Sequence, residues 1–410
     1  MKIILLAALP ALLFIGCSKK SGSSTTIPLA GTGDSANVTV ISGYGSGRYK
    51  IGDTVDIWSY AIPADSIFNS WTGYNSLLNN SGEWHSSFVM PSTDLTLTAS
   101  YLPITPVTLQ YQQIRGMNIL KNVYFYFPPN ARGLVYLLHG TGGNAKNLVN
   151  NFEWQEMIND LSYAGYAVMV TEAEEVSLNT DLNGDGTIRW DLLPLDSTTN
   201  PDYGNFIAIT DTFYARGYLK PSAPLYSIGM SDGGAFSAAL SYFLHYTAGV
   251  SYCAPTSTVV TNNSTTPLQF CMAKYDNASE VGPAGDATAQ TNSQALAARG
   301  ICSPFFLHDH SRVYPQRFSR WNGISTSLSA SIFTELGANH WIDSRNYLTA
   351  ASDTIAAHVM ANPAAYPVLS ALSLPQYTFV TNELDCMYSA HQFYSDYNKT
   401  TIGFLTAPCH

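Results

Sequence analysis

Charge is scarce in this chain. Only 12% of its 410 residues are Asp, Glu, Lys or Arg, and no basic run is long enough to neutralise several phosphates in succession, which disfavours nucleic-acid binding. The 19 Lys and Arg stand against 29 Asp and Glu, a net charge of −10 and the wrong sign for a polyanion partner. Zinc-type spacing is missing too: the 6 cysteines form no Cys-x-x-Cys pair and no His/Cys set of metal-ligand spacing. Past the first residues no apolar run is long enough to cross a bilayer. What fills the sequence instead is 46% hydrophobic residues with 26 Tyr, 18 Phe and 30 Gly, among many Ser, Thr and Asn. That balance can bury a core, so global disorder is excluded, and about 150 residues per domain gives two or three units. A surface of hydroxyls and amides rather than charges suits an exported protein.

The N-terminus sets the compartment. Met1-Lys2 is a short positive region and Ile3 to Ile15 an apolar run that ends at Gly16-Cys17; residues 1–16 read as a signal peptide, too short to span a ~30 Å hydrocarbon core. Leu13-Phe14-Ile15-Gly16-Cys17 resembles a bacterial lipobox, which implies lipidation of Cys17 and an exported lipoprotein held to the membrane by acyl chains. Ser18 beside that cysteine is similar to lipoproteins sorted to the outer membrane or cell surface. The other reading is an ordinary signal peptide with a chance cysteine. Residues 17–35, polar throughout their first part, form a flexible tether. The five remaining cysteines leave at least one unpaired, and Cys253, Cys271 and Cys386 lie in apolar runs that read as buried strands.

Residues 36–102 alternate as strands do, with Val38 and Val40, Val55 and Ile57, Phe88 and Met90, then Leu95, Leu97 and Ala99, separated by Gly and Asn/Ser turns. Gly45 to Val55, Phe68 to Gly73 and Phe88 to Tyr101 resemble a divergent internalin-B-type repeat of bacterial surface proteins, which implies a small all-β module serving as a spacer or weak adhesive unit. Trp71 is either a ligand platform or, as is commoner in so small a domain, its core.

From about 106 to 410 the pattern changes. Val123–Phe127, Leu134–Leu138 and Tyr166–Val170 read as strands, and Trp154, Met157, Ile158 and Leu161 share one face of a helix, so the sheet is largely parallel with helices on both faces. The strand Leu225–Ile228 runs into Gly229-Met230-Ser231-Asp232-Gly233-Gly234, and Ala235 to Leu244 reads as a helix. This is Gly-x-Ser-x-Gly in its strand–turn–helix context, which lets a serine hydroxyl project alone next to helix-terminal amides. Some ninety residues earlier the strand ending at Leu138 opens into His139-Gly140-Thr141-Gly142-Gly143. Together these segments resemble α/β-hydrolases, in particular secreted esterases and polyester depolymerases. The resemblance implies an α/β-hydrolase fold, an oxyanion hole from the Thr141 and Asp232 amides, no required cofactor, and an ester substrate that is small or polymeric.

A serine needs a base, and the base an acid. Asp276, just past the apolar run Leu268–Ala273, sits where such sheets keep their sites, with Glu280 and Asp286 in the same loop as alternatives. For the base, His391 follows Leu384–Ser389, which reads as a last strand, and precedes a closing helix from Tyr394; His340, His308 and His310 are the alternatives. With His391 as base, residues 312–383 become a mostly helical cap insertion, with helices near 326–336 and 345–361. Its Phe318, Trp321, Trp341 and Tyr347 then either line an acyl site or serve as packing. Finally Asp181, Asn183, Asp185, Gly186 and Asp191 resemble the oxygen-ligand loop of an EF-hand, although Leu192 stands at the closing position. A structural Ca²⁺ site and a plain Asn/Gly turn both fit. The reading that joins these residues is a surface-anchored serine esterase; a serine peptidase of the same fold and a non-catalytic surface adhesin are the alternatives.

Overall fold

The computed structural model describes residues 34–62, 65–105 and 107–409; the signal peptide, Cys17 and residues 17–33 of the tether lie outside them. The larger part is an eight-stranded sheet. In chain order its strands are β1 (Gln110–Arg115), β2 (Leu120–Tyr126), β3 (Leu134–Leu138), β4 (Ala167–Val170), β5 (Leu225–Met230), β6 (Ala248–Tyr252), β7 (Leu268–Ala273) and β8 (Phe305–His308). Across the sheet they run β8-β7-β6-β5-β3-β4-β2-β1, with β2 antiparallel to both neighbours and every other pair parallel. This is the α/β-hydrolase fold.

Strand periodicity divides the core. Leu134, Tyr136 and Leu138 point to one face, with Phe206, Ile209 and Phe213 of the helix Pro201–Ala215 and Phe236 of the helix Asp232–Phe243. Val135 and Leu137 point to the other, with Met157, Ile158 and Leu161 of the helix Phe152–Tyr163 and Leu405 of the helix Asn398–Thr406. All five β3 side chains are 0% exposed, as a strand covered on both faces requires. The C-terminal end is tied back by a disulfide, Cys302–Cys409. Cys253, Cys271 and Cys386 are buried thiols.

The N-terminal module is all-β, with a four-stranded sheet (Ser35–Ile41, Gly47–Lys50, Ser66–Gly73 and Leu95–Pro103) against a three-stranded one (Gly43–Tyr44, Thr54–Ser59 and His85–Val89). Trp71 is 1% exposed and donates its indole N–H to the Glu83 carbonyl at 3.0 Å, so it is core rather than a ligand platform.

Two expectations fail near the C-terminus. Leu384–Ser389 is no strand: it ends the helix Leu374–Tyr388, and Cys386 is helical with it. Phe379, Val380, Glu383, Leu384 and Met387 are buried together, a 3.6-residue period that a six-residue window hides. Ser373 and Gln376 cap this helix reciprocally, with Pro375 in its first turn. The helix expected near 345–361 is shorter, Ser352–Ala361.

The insertion 312–383 has its own core, including Phe318, Ile332, Leu336, Ile355 and Phe379, and packs on the β-module. The Tyr314 hydroxyl donates to the Asp56 carbonyl at 2.7 Å, its ring meets Trp58 edge-on at 3.8 Å, and Arg312 donates to the Thr54 carbonyl at 3.0 Å. The C-terminal segment grips the module too: the closing helix, which starts at Asn398 rather than at Tyr394, gives the Thr400 amide to Glu83 at 2.8 Å, and Asp396 in the turn before it bonds His85 at 2.6 Å. The module is thus built into the molecule rather than hung from it as a free spacer.

Arg320 is the knot of this junction. Its guanidinium lies 3.6 Å over the Trp84 ring and pairs with Glu153 at 2.7 Å and Glu383 at 3.2 Å, all three side chains at most 8% exposed. Removing one member of such a set strands the others in a poorly solvated site. Arg320→Met is expected to lower unfolding free energy by about 3–5 kcal/mol, measured by urea denaturation against wild type; a loss below 1 kcal/mol contradicts this account.

Candidate active site

Ser231 sits between the end of β5 and the helix Asp232–Phe243 at φ 59°, ψ −129°, a conformation costing a non-glycine residue about 1–3 kcal/mol. Its surroundings enforce it. The Ser231 amide donates to the Tyr252 carbonyl at 2.8 Å and the Ser231 carbonyl accepts from Gly234 at 2.8 Å. A β-carbon at Gly229 would run into the Gly233 carbonyl, and one at Gly233 into the carbonyls of Leu138 and His139. Those glycines let strand, turn and helix approach closely enough to push the serine outward.

The three residues expected from the sequence to act together are joined in a line. Ser231 Oγ lies 2.8 Å from His391 Nε2, and His391 Nδ1 lies 2.6 Å from Asp276 Oδ2. Asp276 is fully buried while His391 keeps 22% exposure, and the second Asp276 oxygen accepts from the Ala278 amide at 2.9 Å. The base loop is held by Ser389, a residue that sequence reasoning passed over. Left-handed at φ 60°, Ser389 ends the helix, accepts from the Lys274 amide through its hydroxyl and from the Tyr275 amide through its carbonyl, and donates to the His308 carbonyl at 2.8 Å. It thereby fastens the His391 loop to the strand end that carries Asp276.

The alternatives fall elsewhere. His340 is exposed in the insertion. His308 is buried on β8, bonded to the Cys386 carbonyl at 3.1 Å, and burial holds its pKa below the ordinary value. His310 stacks on Tyr275 at 3.8 Å. Glu280 is 78% exposed beside Arg189. Asp286 lies behind Asp276, and burial, with the neighbouring Asp276 charge, pushes it up to about 6.

The amides of Thr141 and Asp232 meet no protein acceptor among the described residues, and the loop that carries Thr141 presses on the elbow at Gly140. His139 anchors this loop as a neutral ring: Nδ1–H donates to the Gly140 carbonyl at 2.8 Å, Nε2 accepts from the Ala173 amide at 3.2 Å, and burial pushes its pKa down to about 4. Trp190 locks it further by stacking on His139 at 4.8 Å, donating its indole N–H to the His139 carbonyl at 2.8 Å, and donating its amide to Asp232 Oδ2 at 2.9 Å.

The Asp181 loop is an internally hydrogen-bonded turn. Both Asp181 oxygens accept backbone amides, from Gly184 and Gly186, and Asp185 holds Arg189 at 2.8 Å while its other oxygen accepts from Thr187. Leu192 stands where a closing carboxylate belongs. Cys253, Asp276 and His391 bring ligand-type atoms within 4.8 Å of one another; the Cys253 S–H donates to the Gln392 carbonyl at 3.4 Å, and Asp276 and His391 are bonded to each other.

A cleft of about 970 Å³ surrounds Ser231 and His391, with Trp154, Arg189, Leu193 and Gln392 in its walls. The insertion contributes none of its lining. Phe318 is 0% exposed inside the insertion, Trp341 donates to the Tyr366 hydroxyl, Trp321 packs near Phe379, and Tyr347 faces Arg312. None of these aromatics lines the cleft around Ser231; the helical insertion is spent on the β-module.

No family model and no curated protein sequence matches the chain. Solved structures similar to part of it include a dienelactone hydrolase from Anabaena variabilis ATCC 29413, at 16% identity over 49% of this chain and 84% of that one with a TM-score of 0.35. Poly(aspartic acid) hydrolase-1 from Sphingomonas sp. KT-1 is similar at 13% identity over 49% of this chain and 91% of that one, with a TM-score of 0.36. An α/β serine hydrolase without lid from Xanthomonas campestris is similar at 14% identity over 50% and 86%, with a TM-score of 0.32.

Burial raises the Asp232 carboxyl from 3.8 to about 7. An acid raised on folding holds more protons folded than unfolded across that window, so stability falls as pH climbs from about 4 to 7 and levels off above it. Asp232→Asn is expected to remove this contribution, so that its urea midpoint gains on wild type between pH 4.5 and 7.5; an unchanged difference across that range rejects the assignment.

Proposed function

We propose that this chain is a serine hydrolase of carboxylic esters, exported and held to a membrane by a lipid on Cys17. The observation that carries the hydrolase reading is the continuous line Asp276–His391–Ser231, with bonds of 2.6 and 2.8 Å, at the mouth of a cleft beside two unengaged amides. His391 Nε2 takes the Ser231 proton as Oγ attacks the ester carbonyl; the carbonyl oxygen, gaining negative charge, accepts from the Thr141 and Asp232 amides. Collapse expels the alcohol, which receives the proton from His391, and leaves an acyl-serine. Water, deprotonated by the same imidazole, then releases the acid and restores Ser231. Asp276 keeps Nδ1 protonated so that Nε2 is the free base, and stabilises the imidazolium while it exists.

Peptide cleavage would use the same groups, and ester cleavage is preferred on the resemblance of the His139-Gly140 loop and the elbow to secreted esterases. The cleft is unroofed by the insertion, which suits a polymer chain as well as a small ester. The adhesin reading finds little support in a serine already bonded to its base.

A fluorophosphonate probe with peptide mapping tests the proposal, followed by p-nitrophenyl ester hydrolysis. Wild type is expected to carry the label on Ser231, His391→Ala to lose labelling, His340→Ala to keep it, and Asp276→Asn to lower kcat by about 10⁴-fold. Unlabelled wild-type protein would favour the adhesin.

A further inference from the structure

A second cavity, of about 540 Å³, opens where the β-module, the linker after it, the helix Phe152–Tyr163 and the insertion meet, and it shares no lining residue with the cleft around Ser231. Its volume is in the range of small-ligand sites. The rings of Tyr124, Phe152 and Trp321 border it, with Glu156 as its one carboxyl group and Arg320, whose guanidinium lies 5.0 Å over the Phe152 ring, as its one cation.

The charge balance around it is uneven. Arg320 gives its guanidinium to Glu153 and Glu383, and Arg317 pairs with Glu383 at 2.8 Å. Two guanidiniums therefore face three carboxylates, and the one left without an ion-pair partner among the described residues is Glu156, which fronts the cavity. Asp160, one turn along the helix, is already bonded to the Asn398 amide at 2.8 Å and adds no compensating positive charge. Arg320 spends its bonds on Glu153 and Glu383, so Glu156 is a half-buried carboxylate outside any ion pair among aromatic rings, the chemistry that recognises an organic cation.

We propose that this cavity binds an alkylammonium group, with the Glu156 carboxylate as its counter-ion and the bordering rings packing against its alkyl part. The site is independent of the hydrolytic reading. Burial pushes Glu156 up to about 8, so a bound ammonium has to displace a proton near neutrality, and affinity rises with pH.

Isothermal titration of the protein with n-propylammonium chloride at pH 6.5 and 8.5, with sodium chloride as control, tests this. Expected are saturable one-site binding at pH 8.5, at least about tenfold weaker binding at pH 6.5, at least about tenfold weaker binding in Glu156→Gln at pH 8.5, and unchanged binding in Ser231→Ala. Glu156→Gln removes an uncompensated charge, so its thermal midpoint at pH 8.5 is expected to equal or exceed that of wild type, which separates lost binding from lost folding. No saturable heat at pH 8.5, equal affinity in Glu156→Gln, or loss of binding in Ser231→Ala overturns the proposal. Co-sedimentation with phosphatidylethanolamine vesicles distinguishes the source: binding that Glu156→Gln abolishes assigns a lipid headgroup, and propylammonium binding without sedimentation assigns a free amine.

Discussion

Everything at the candidate site depends on how closely two stretches of backbone approach. Gly233, opening the helix after the serine, lies against the carbonyls of Leu138 and His139, so the end of β3 and the start of that helix touch with no side chain between them. Thr141 and Asp232 both line the cleft around Ser231. Any β-carbon at Gly233 would part the two segments. The strain in Ser231 is supported by the same packing: the hydrogen bond to Tyr252 on β6 and the glycine contacts leave the chain no relaxed alternative.

The elbow and the sheet were legible because their signals are local. A strand followed by Gly-x-Ser-x-Gly-Gly and a helix carries its geometry within a dozen residues, and β3 reads as one apolar run because both faces of it are covered. The position of His391 beside Ser231 was legible, but not the structure that carries it. His391 follows a helix, not a strand, and the error arose because Leu384 to Met387 is too short a stretch to distinguish a period of 2 from one of 3.6. What delivers the imidazole is the left-handed Ser389 and its bonds to Lys274, Tyr275 and His308, contacts between segments more than eighty residues apart. The contacts of Trp190 were illegible for the same reason, since they exist only once the segment 181–191 lies across the His139 loop.

The insertion reverses an expectation in an informative way. Helices placed between the last strand and the base suggested a roof over the cleft, but aromatic residues at helical spacing say only that a helix has a buried face, not what covers it. Here that face closes on a core of its own and on the β-module. The module's strand pattern was readable from alternation; its docking was not, because Trp58, Trp84 and Glu83 find their partners in Tyr314, Arg320 and Thr400, hundreds of residues away.

The scarcity of charge in the sequence takes on meaning at that junction. In a chain with 12% charged residues, Asp56, Glu83, His85, Glu153, Arg317, Arg320, Glu383 and Asp396 are gathered at or beside one seam, most of them buried. Buried ion pairs add little net stability over apolar packing, because desolvation offsets most of the Coulomb attraction. Their geometry, however, is exacting: sliding the module by one residue would leave Asp396 without His85 and Glu83 without the Thr400 amide, each a buried polar group stripped of its partner. An apolar seam of the same area would tolerate such a shift. The polar seam therefore fixes how the module sits, and since the cavity fronted by Glu156 is walled by module, linker, helix and insertion together, its shape is fixed by the same bonds.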